Sequence, residues 1–112
     1  MVRRLLFGAV DLQTNPRNPR GCLAVHGALA CSGAAEPIRL ELVAHRAAGE
    51  AALRRRFKRA KAAGDLPARA DPTDLARYVV AVMQGMAVLA AGGASRDALR
   101  RVVQTALHAW PK

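Results

Sequence analysis

Aromatic side chains are scarce in this sequence, and long apolar runs are absent from it. Aromatic residues make up 4% of the chain although 52% of its residues are apolar, so a core must be built from Leu, Val, Met and Ala in close helix contacts. The sequence contains no uninterrupted run of about eighteen apolar, uncharged residues, and we therefore expect no membrane span. No segment alternates apolar and polar residues with period two, which predicts an all-helical chain instead of a sheet.

Cysteine is also rare, since the 112 residues contain only Cys22 and Cys31. If both lie on one helix, a separation of nine residues places them on opposite faces, where they cannot form a disulfide. No signal peptide is evident, because two arginines and only a brief apolar run follow Met1. We therefore predict a protein of the reducing cytoplasm.

Acidic residues are few compared with basic ones. The sequence has 18 Lys and Arg against 8 Asp and Glu, a formal net charge of +10. Six of the basic residues lie between Arg54 and Lys61, spread around much of a helix except on the side of Leu53 and Phe57. A solvated helix face is the favoured interpretation, and non-specific binding of nucleic acid through Arg54 to Lys61 is the alternative function.

The clearest helices are the last two. Asp71 and Ser95 are good N-caps, Pro72 suits a first helical position, and Gly92 and Gly93 stop the earlier helix. Apolar residues recur at steps of three and four in both segments, up to Pro111. The short connection predicts that the two helices are antiparallel neighbours.

The earlier of these helices is apolar around most of its circumference and must be covered on more than one side. We predict that a second copy of the chain supplies part of this cover, in a four-helix dimer interface built from two helices per subunit. A monomeric bundle core remains the alternative. The predicted dimer residues are Val82, Met86, Leu89, Leu99, Val103, Ala106, Leu107 and Trp110.

The preceding residues predict further helices of one domain, about five in total. Helical spacing extends over residues 2–13, and the prolines and asparagines of residues 15–20 predict a loop. Residues 21–32 are predicted to form a buried helix or, less favoured, a buried strand, and residues 37–63 a long helix. We assign residues 1–20 to a partial leading helix and loop, 21–70 to pocket helices and 71–110 to a dimerisation pair. The helical pattern starts without a cap, as expected of a chain that opens partway through a larger architecture.

Several short motifs give the chain a resemblance to a known family. In order they are Pro19-Arg20-Gly21-Cys22-Leu23, Gly64-Asp65-Leu66-Pro67 after an Arg-rich helix, Asp71-Pro72, Met83-Gln84-Gly85-Met86 and Gly93-Ala94-Ser95. With this series the chain resembles the C-terminal, effector-binding and dimerisation half of TetR-family bacterial transcriptional regulators. The resemblance covers nearly all of the chain from Pro19 to Trp110.

This resemblance implies a helical domain with a pocket for a small, mostly apolar effector, whose binding releases the regulator from operator DNA. The family's helix-turn-helix is N-terminal, and nothing in residues 1–20 matches it, so operator DNA would be bound only through an N-terminal domain that this chain lacks. The predicted ligand-binding residues are Val25, His26, Leu29, Val43, Phe57, Tyr78, Met83 and Gln84. For each apolar member, a place in the core is an equally good interpretation.

No cofactor, metal site or catalytic site is predicted. Cys22 and His26 would share a helix face, yet their spacing with Cys31 or His45 fits no zinc signature. The three histidines show no local pairing with an acid, and no glycine-rich phosphate loop is present. We therefore expect a regulatory module without enzymatic activity.

Overall fold

A computed structural model describes residues 1–17 and 36–112, which form four helices. They are α1 (Val2–Thr14), α2 (Glu36–Ala62), α3 (Pro72–Ala91) and α4 (Arg96–His108). Within these two ranges no residue lies in a strand, so the all-helical prediction is confirmed, with four helices here instead of about five. The element predicted over residues 21–32 lies outside the described residues.

Helix α3 begins where the sequence places its cap. An Asp71 side-chain oxygen accepts hydrogen bonds from the backbone N–H groups of Thr73, at 2.8 Å, and Asp74, at 3.3 Å. These N–H groups have no partner inside the helix, so the carboxylate satisfies donors that would otherwise be exposed to water alone.

We expect Asp71→Ala to lower the free energy of unfolding by about 1 kcal/mol, because both donors lose their acceptor. Urea denaturation followed by circular dichroism measures the difference. Asp71→Asn is the matched control, since it keeps an acceptor oxygen and should remain close to the parent protein. Equal stabilities of the alanine and asparagine variants would contradict a capping role.

The connection between α3 and α4 is also set by local chemistry. Gly93 has a φ of +98°, a backbone conformation that residues with a Cβ atom rarely adopt. Ser95 Oγ then accepts a hydrogen bond of 3.1 Å from the Ala98 N–H and caps α4. Helix α4 ends at His108, three residues before the predicted stop at Pro111. The two helices are neighbours in contact, as expected.

Helix α3 is the centre of the bundle. It contacts each of the other three helices, and α1 in addition packs on α4. Among the described helices, α3 is the one long and apolar enough to cross a membrane by length and composition, a test that core helices also pass, and 28% of this stretch is buried within the structure. The largest fully buried side chains of the core are Phe57, Leu6, Met86, Leu99, Val10, Val79 and Val103.

The C-terminal end of α1 buries a polar side chain and exposes an apolar one. Leu12 is 67% exposed, whereas Gln13 is only 8% exposed. The buried line runs through Leu6, Val10 and Gln13 at steps of three and four, and Leu12 is turned by about 100° from its successor. A polar side chain therefore points into the bundle from α1.

Candidate functional site

A groove of about 270 Å³ opens beside α3, between α1 and α2. Its surface is mostly apolar and carries a small number of polar groups, which is the composition of small-molecule sites, although its volume is just below their usual range of about 300–1,000 Å³. Three helices contribute to its wall: Leu5 and Gln13 from α1, His45, Arg46, Gly49, Glu50 and Leu53 from α2, and Val80, Met83 and Gln84 from α3.

Gln13 brings an unpaired acceptor to this groove. Its Nε2 donates a hydrogen bond of 3.2 Å to the backbone oxygen of Met83. The carbonyl can only accept, so the amide nitrogen must face it and the Oε1 must face away. That Oε1 is buried and has no hydrogen-bond partner among the described residues. A buried acceptor without a donor costs about 1–3 kcal/mol, which makes the position unfavourable unless something else pairs with it.

Arg46 brings an unpaired donor. Its Nη1 donates to Gln84 Oε1 at 3.4 Å, while its buried Nε has no partner in the described part of the chain. Glu50 lies one turn along α2, but its Oε1 pairs with Arg77 Nε at 3.4 Å. The Arg46 guanidinium therefore has no carboxylate partner within residues 1–17 and 36–112.

Gly49 leaves part of the groove open. A Cβ built on Gly49 would meet no atom within 4 Å, so close packing within the described structure does not require glycine here. Glycine in a helix interior is less favourable than alanine by about 1 kcal/mol. The residue therefore contributes space at a cost in helix stability.

The structure places the predicted ligand-binding residues in different surroundings. Met83 and Gln84 line the groove. Phe57 is fully buried and borders a different cavity, Tyr78 is 38% exposed outside the groove lining, and Val43 is half-buried on α2. The remaining three, Val25, His26 and Leu29, lie outside the described residues.

The cavity beside Phe57 is larger, about 410 Å³, but chemically different. Phe57 packs against Trp110 there in a tilted arrangement, with ring centroids 5.5 Å apart and ring planes at 58°. Arg56, Arg59 and Asp65 contribute to the wall of this cavity. Within the described residues, the two buried side-chain atoms without a partner belong to Gln13 and Arg46. The groove beside α3 is therefore the stronger candidate for a binding site.

Sequence reasoning missed the polar residues of this groove. Gln13 had a detectable signal, because it continues the apolar stripe of α1 at the spacing of a core position. Arg46 had none, since a lone arginine on a long helix is usually solvated. The helices α1 and α2 bring both side chains to α3 only through their packing.

The predicted dimer residues divide into buried and accessible groups. Met86, Leu99, Val103 and Ala106 are 0–4% exposed within one subunit, so they already pack inside it. Val82, Leu107 and Trp110 are half-buried, and Leu89 is 49% exposed. The interface itself stays a prediction, with Leu89 as the most accessible of the eight side chains.

The basic segment of α2 is mostly at the surface. Arg55, Arg56, Lys58 and Arg59 are exposed, whereas Arg54 and Lys61 are half-buried. Non-specific binding of nucleic acid through this segment remains a prediction.

Within the described ranges, no three His, Cys, Asp or Glu side chains are grouped so that they could hold a metal ion. Cys22, His26 and Cys31 lie outside those ranges.

Comparison with known proteins identifies the class. Residues 2–108 match the family described as "Tetracyclin repressor-like, C-terminal domain". The chain therefore belongs to the TetR family and corresponds to the C-terminal, regulatory domain of its regulators, as its motifs predicted.

Particular relatives agree with this assignment. The chain is 29% identical over 99 residues to the HTH-type transcriptional repressor ComR of Escherichia coli (strain K12), a match that covers 88% of this chain and 47% of ComR. It is 38% identical, with a TM-score of 0.91, to the TetR family transcriptional regulator CifR, solved as a cysteine mutant complexed with 26 bp double-strand operator DNA. A second CifR cysteine mutant in complex with operator DNA gives 37% identity and the same TM-score. Both superpositions cover 98% of this chain and 57–58% of CifR, so the chain spans about half the length of these relatives.

Proposed function

We propose that this domain senses a small, mostly apolar effector in the groove beside α3 and holds two subunits of a TetR-type regulator together. The observation that carries the proposal is a mostly apolar groove lined by Gln13 and Arg46, each of which has one buried side-chain atom, Oε1 and Nε respectively, without a partner among the described residues. A ligand can supply the missing partners, and the energy recovered on pairing favours binding.

Helix α3 connects the groove to the proposed dimer face. Val80 and Met83 of α3 border the groove, while Tyr78, Val88 and Leu89 of α3 are 38–49% exposed. A ligand that binds one arrangement of α1, α2 and α3 more tightly shifts the subunits toward that arrangement. Operator DNA would be bound through an N-terminal domain outside these 112 residues, and the dimer would set the spacing of the two DNA-reading heads.

The face that we assign to a second copy of the chain centres on Gly85. Tyr78, Ala81, Gly85, Val88 and Leu89 recur at steps of three and four and are all exposed. A Cβ on Gly85 would meet no atom within 4 Å, so the subunit does not itself require glycine there. A surface of small and apolar residues allows two helices to approach closely, as in a symmetric dimer. The proposed dimer acts in the cytoplasm and has no enzymatic activity.

Filling the groove tests the sensing role. We expect Gly49→Leu to weaken the binding of 1-octanol, used as a small apolar probe, by on the order of tenfold or more, because the new side chain occupies the open volume. The free energy of unfolding should stay equal or rise, since leucine is a better helix former than glycine by about 1 kcal/mol. Isothermal titration calorimetry measures the affinity, and urea denaturation measures the stability.

The matched control is Ala48→Leu, which adds a side chain of similar size at an exposed position of α2 outside the groove lining. Its octanol affinity should equal that of the parent chain. Loss of binding in both variants, or in neither, would contradict the assignment of the groove as the effector site.

A further inference from the structure

We infer that the effector is an apolar carboxylate with a hydroxyl group beside its carboxylate. This inference rests on the proposed function, because it specifies which chemistry the groove recognises.

The Arg46 guanidinium calls for an anionic partner. Its Nη1 is engaged by the neutral Gln84 amide, and its Nε points to no acceptor within the described residues. A planar guanidinium binds a carboxylate more strongly than a neutral oxygen, because both charge and paired geometry contribute. The one carboxylate of the groove wall, Glu50, pairs with Arg77, so it does not pair with the Arg46 guanidinium.

Gln13 calls for a hydrogen-bond donor. Because its Nε2 is committed to the Met83 carbonyl, its free Oε1 can only accept. A carboxylate alone offers no donor and would face this oxygen unfavourably. A hydroxyl group on the ligand supplies the proton that Gln13 needs, and it can itself accept from other groups.

One polar head group can reach both side chains. Gln13 bonds to the backbone of Met83 and Arg46 to the side chain of Gln84. All four residues line the same groove, whose volume is about 270 Å³. Leu5, Leu53 and Val80 contribute apolar wall to the same groove, which suits a short hydrocarbon tail.

Three probes with the same eight-carbon skeleton separate these contributions: 2-hydroxyoctanoate, octanoate and 1,2-octanediol. Titration calorimetry of the 112-residue chain should rank 2-hydroxyoctanoate first. We expect loss of the carboxylate, in the diol, to weaken binding by on the order of tenfold or more, and loss of the hydroxyl, in octanoate, by about three- to tenfold.

Two variants assign each preference to its residue. Arg46→Met should remove the advantage of 2-hydroxyoctanoate over the diol, and Gln13→Leu its advantage over octanoate. Gln13→Leu removes the hydrogen bond to the Met83 carbonyl together with a buried acceptor that lacks a partner. These two effects oppose each other, so thermal denaturation should show only a small change in stability in the ligand-free chain. Arg55→Met is the control for the general attraction between anions and a chain of net charge +10, because Arg55 is exposed on α2 outside the groove.

The outcomes distinguish this inference from the proposal beneath it. If the diol binds as tightly as 2-hydroxyoctanoate and Gly49→Leu abolishes both, the groove is an effector site and the head-group inference is wrong. If none of the three probes distinguishes the parent chain from Gly49→Leu, both the inference and the sensing role of the groove are overturned. If Arg55→Met weakens carboxylate binding as much as Arg46→Met, the preference reflects net charge and the inference fails.

Discussion

Replacing Phe57 with alanine is expected to lower the free energy of unfolding by about 3–5 kcal/mol. Phe57 is fully buried and is the largest of the fully buried side chains. Its ring packs against that of Trp110 in a tilted arrangement, with the centroids 5.5 Å apart, and so connects α2 to the residues that follow α4. Alanine would lose the buried apolar area, leave a cavity and remove an aromatic pair. Domains of this size have only about 5–15 kcal/mol in total, so this single change would remove a large fraction of the stability.

Urea denaturation followed by circular dichroism measures this loss. Phe7→Ala is the matched control, because Phe7 is only half-buried and its ring is covered by the guanidinium groups of Arg3 and Arg100, 5.1 and 4.6 Å from its centroid. A loss for Phe57→Ala no greater than that for Phe7→Ala would contradict a central role in the core. Phe57→Leu, which keeps most of the volume, should leave octanol binding in the groove unchanged, since Phe57 does not line it.

Helix ends were predictable because their chemistry is local. Asp71 and Ser95 cap α3 and α4 through backbone donors two or three residues away, and Gly93 adopts the positive φ that such a stop requires. Each of these relations lies within a few residues of sequence. No knowledge of the tertiary packing is needed to anticipate them.

The groove was predictable only in part. Met83 and Gln84 were expected from α3 and do line it, but Gln13 and Arg46 reach it because α1 and α2 pack on α3. A sequence pattern treats a polar residue as solvated unless the spacing argues otherwise. For Gln13 the spacing did indicate a buried position, because this residue continues the apolar stripe of α1. That spacing was the missed signal.

An apolar stripe also cannot distinguish the interior of a subunit from an interface between subunits. Leu99 and Val103 repeat at helical spacing on α4 and were assigned to the dimer, yet both are fully buried within one chain. Both surfaces exclude water and select the same side chains. What identifies the proposed interface is the exposed face of α3 around Gly85, which is visible only after the other helices are in place.

Placing charges on that face should separate the subunits. If the proposed dimer forms, we expect the parent chain to have the solution mass of two copies and the double variant Val88→Glu, Leu89→Glu to have the mass of one chain, 11.9 kDa. Val88 and Leu89 are 47% and 49% exposed in one subunit, so glutamate is tolerated there in the monomer. In a two-fold symmetric dimer each substitution occurs twice. Four carboxylates without partners would then be buried at several kcal/mol each, enough to weaken association more than about a hundredfold.

Analytical ultracentrifugation measures the mass, and circular dichroism confirms that the variant is folded. Leu40→Glu is the control, because Leu40 is 54% exposed and belongs to α2 instead of the Gly85 face of α3, so it should leave the dimer intact. Leu99→Glu should behave differently from both, since it buries a charge inside the subunit and should unfold the chain. A folded double variant that keeps the mass of the parent chain would exclude the Gly85 face. A folded, monomeric Leu99→Glu variant would instead restore the interface predicted from the stripe of α4.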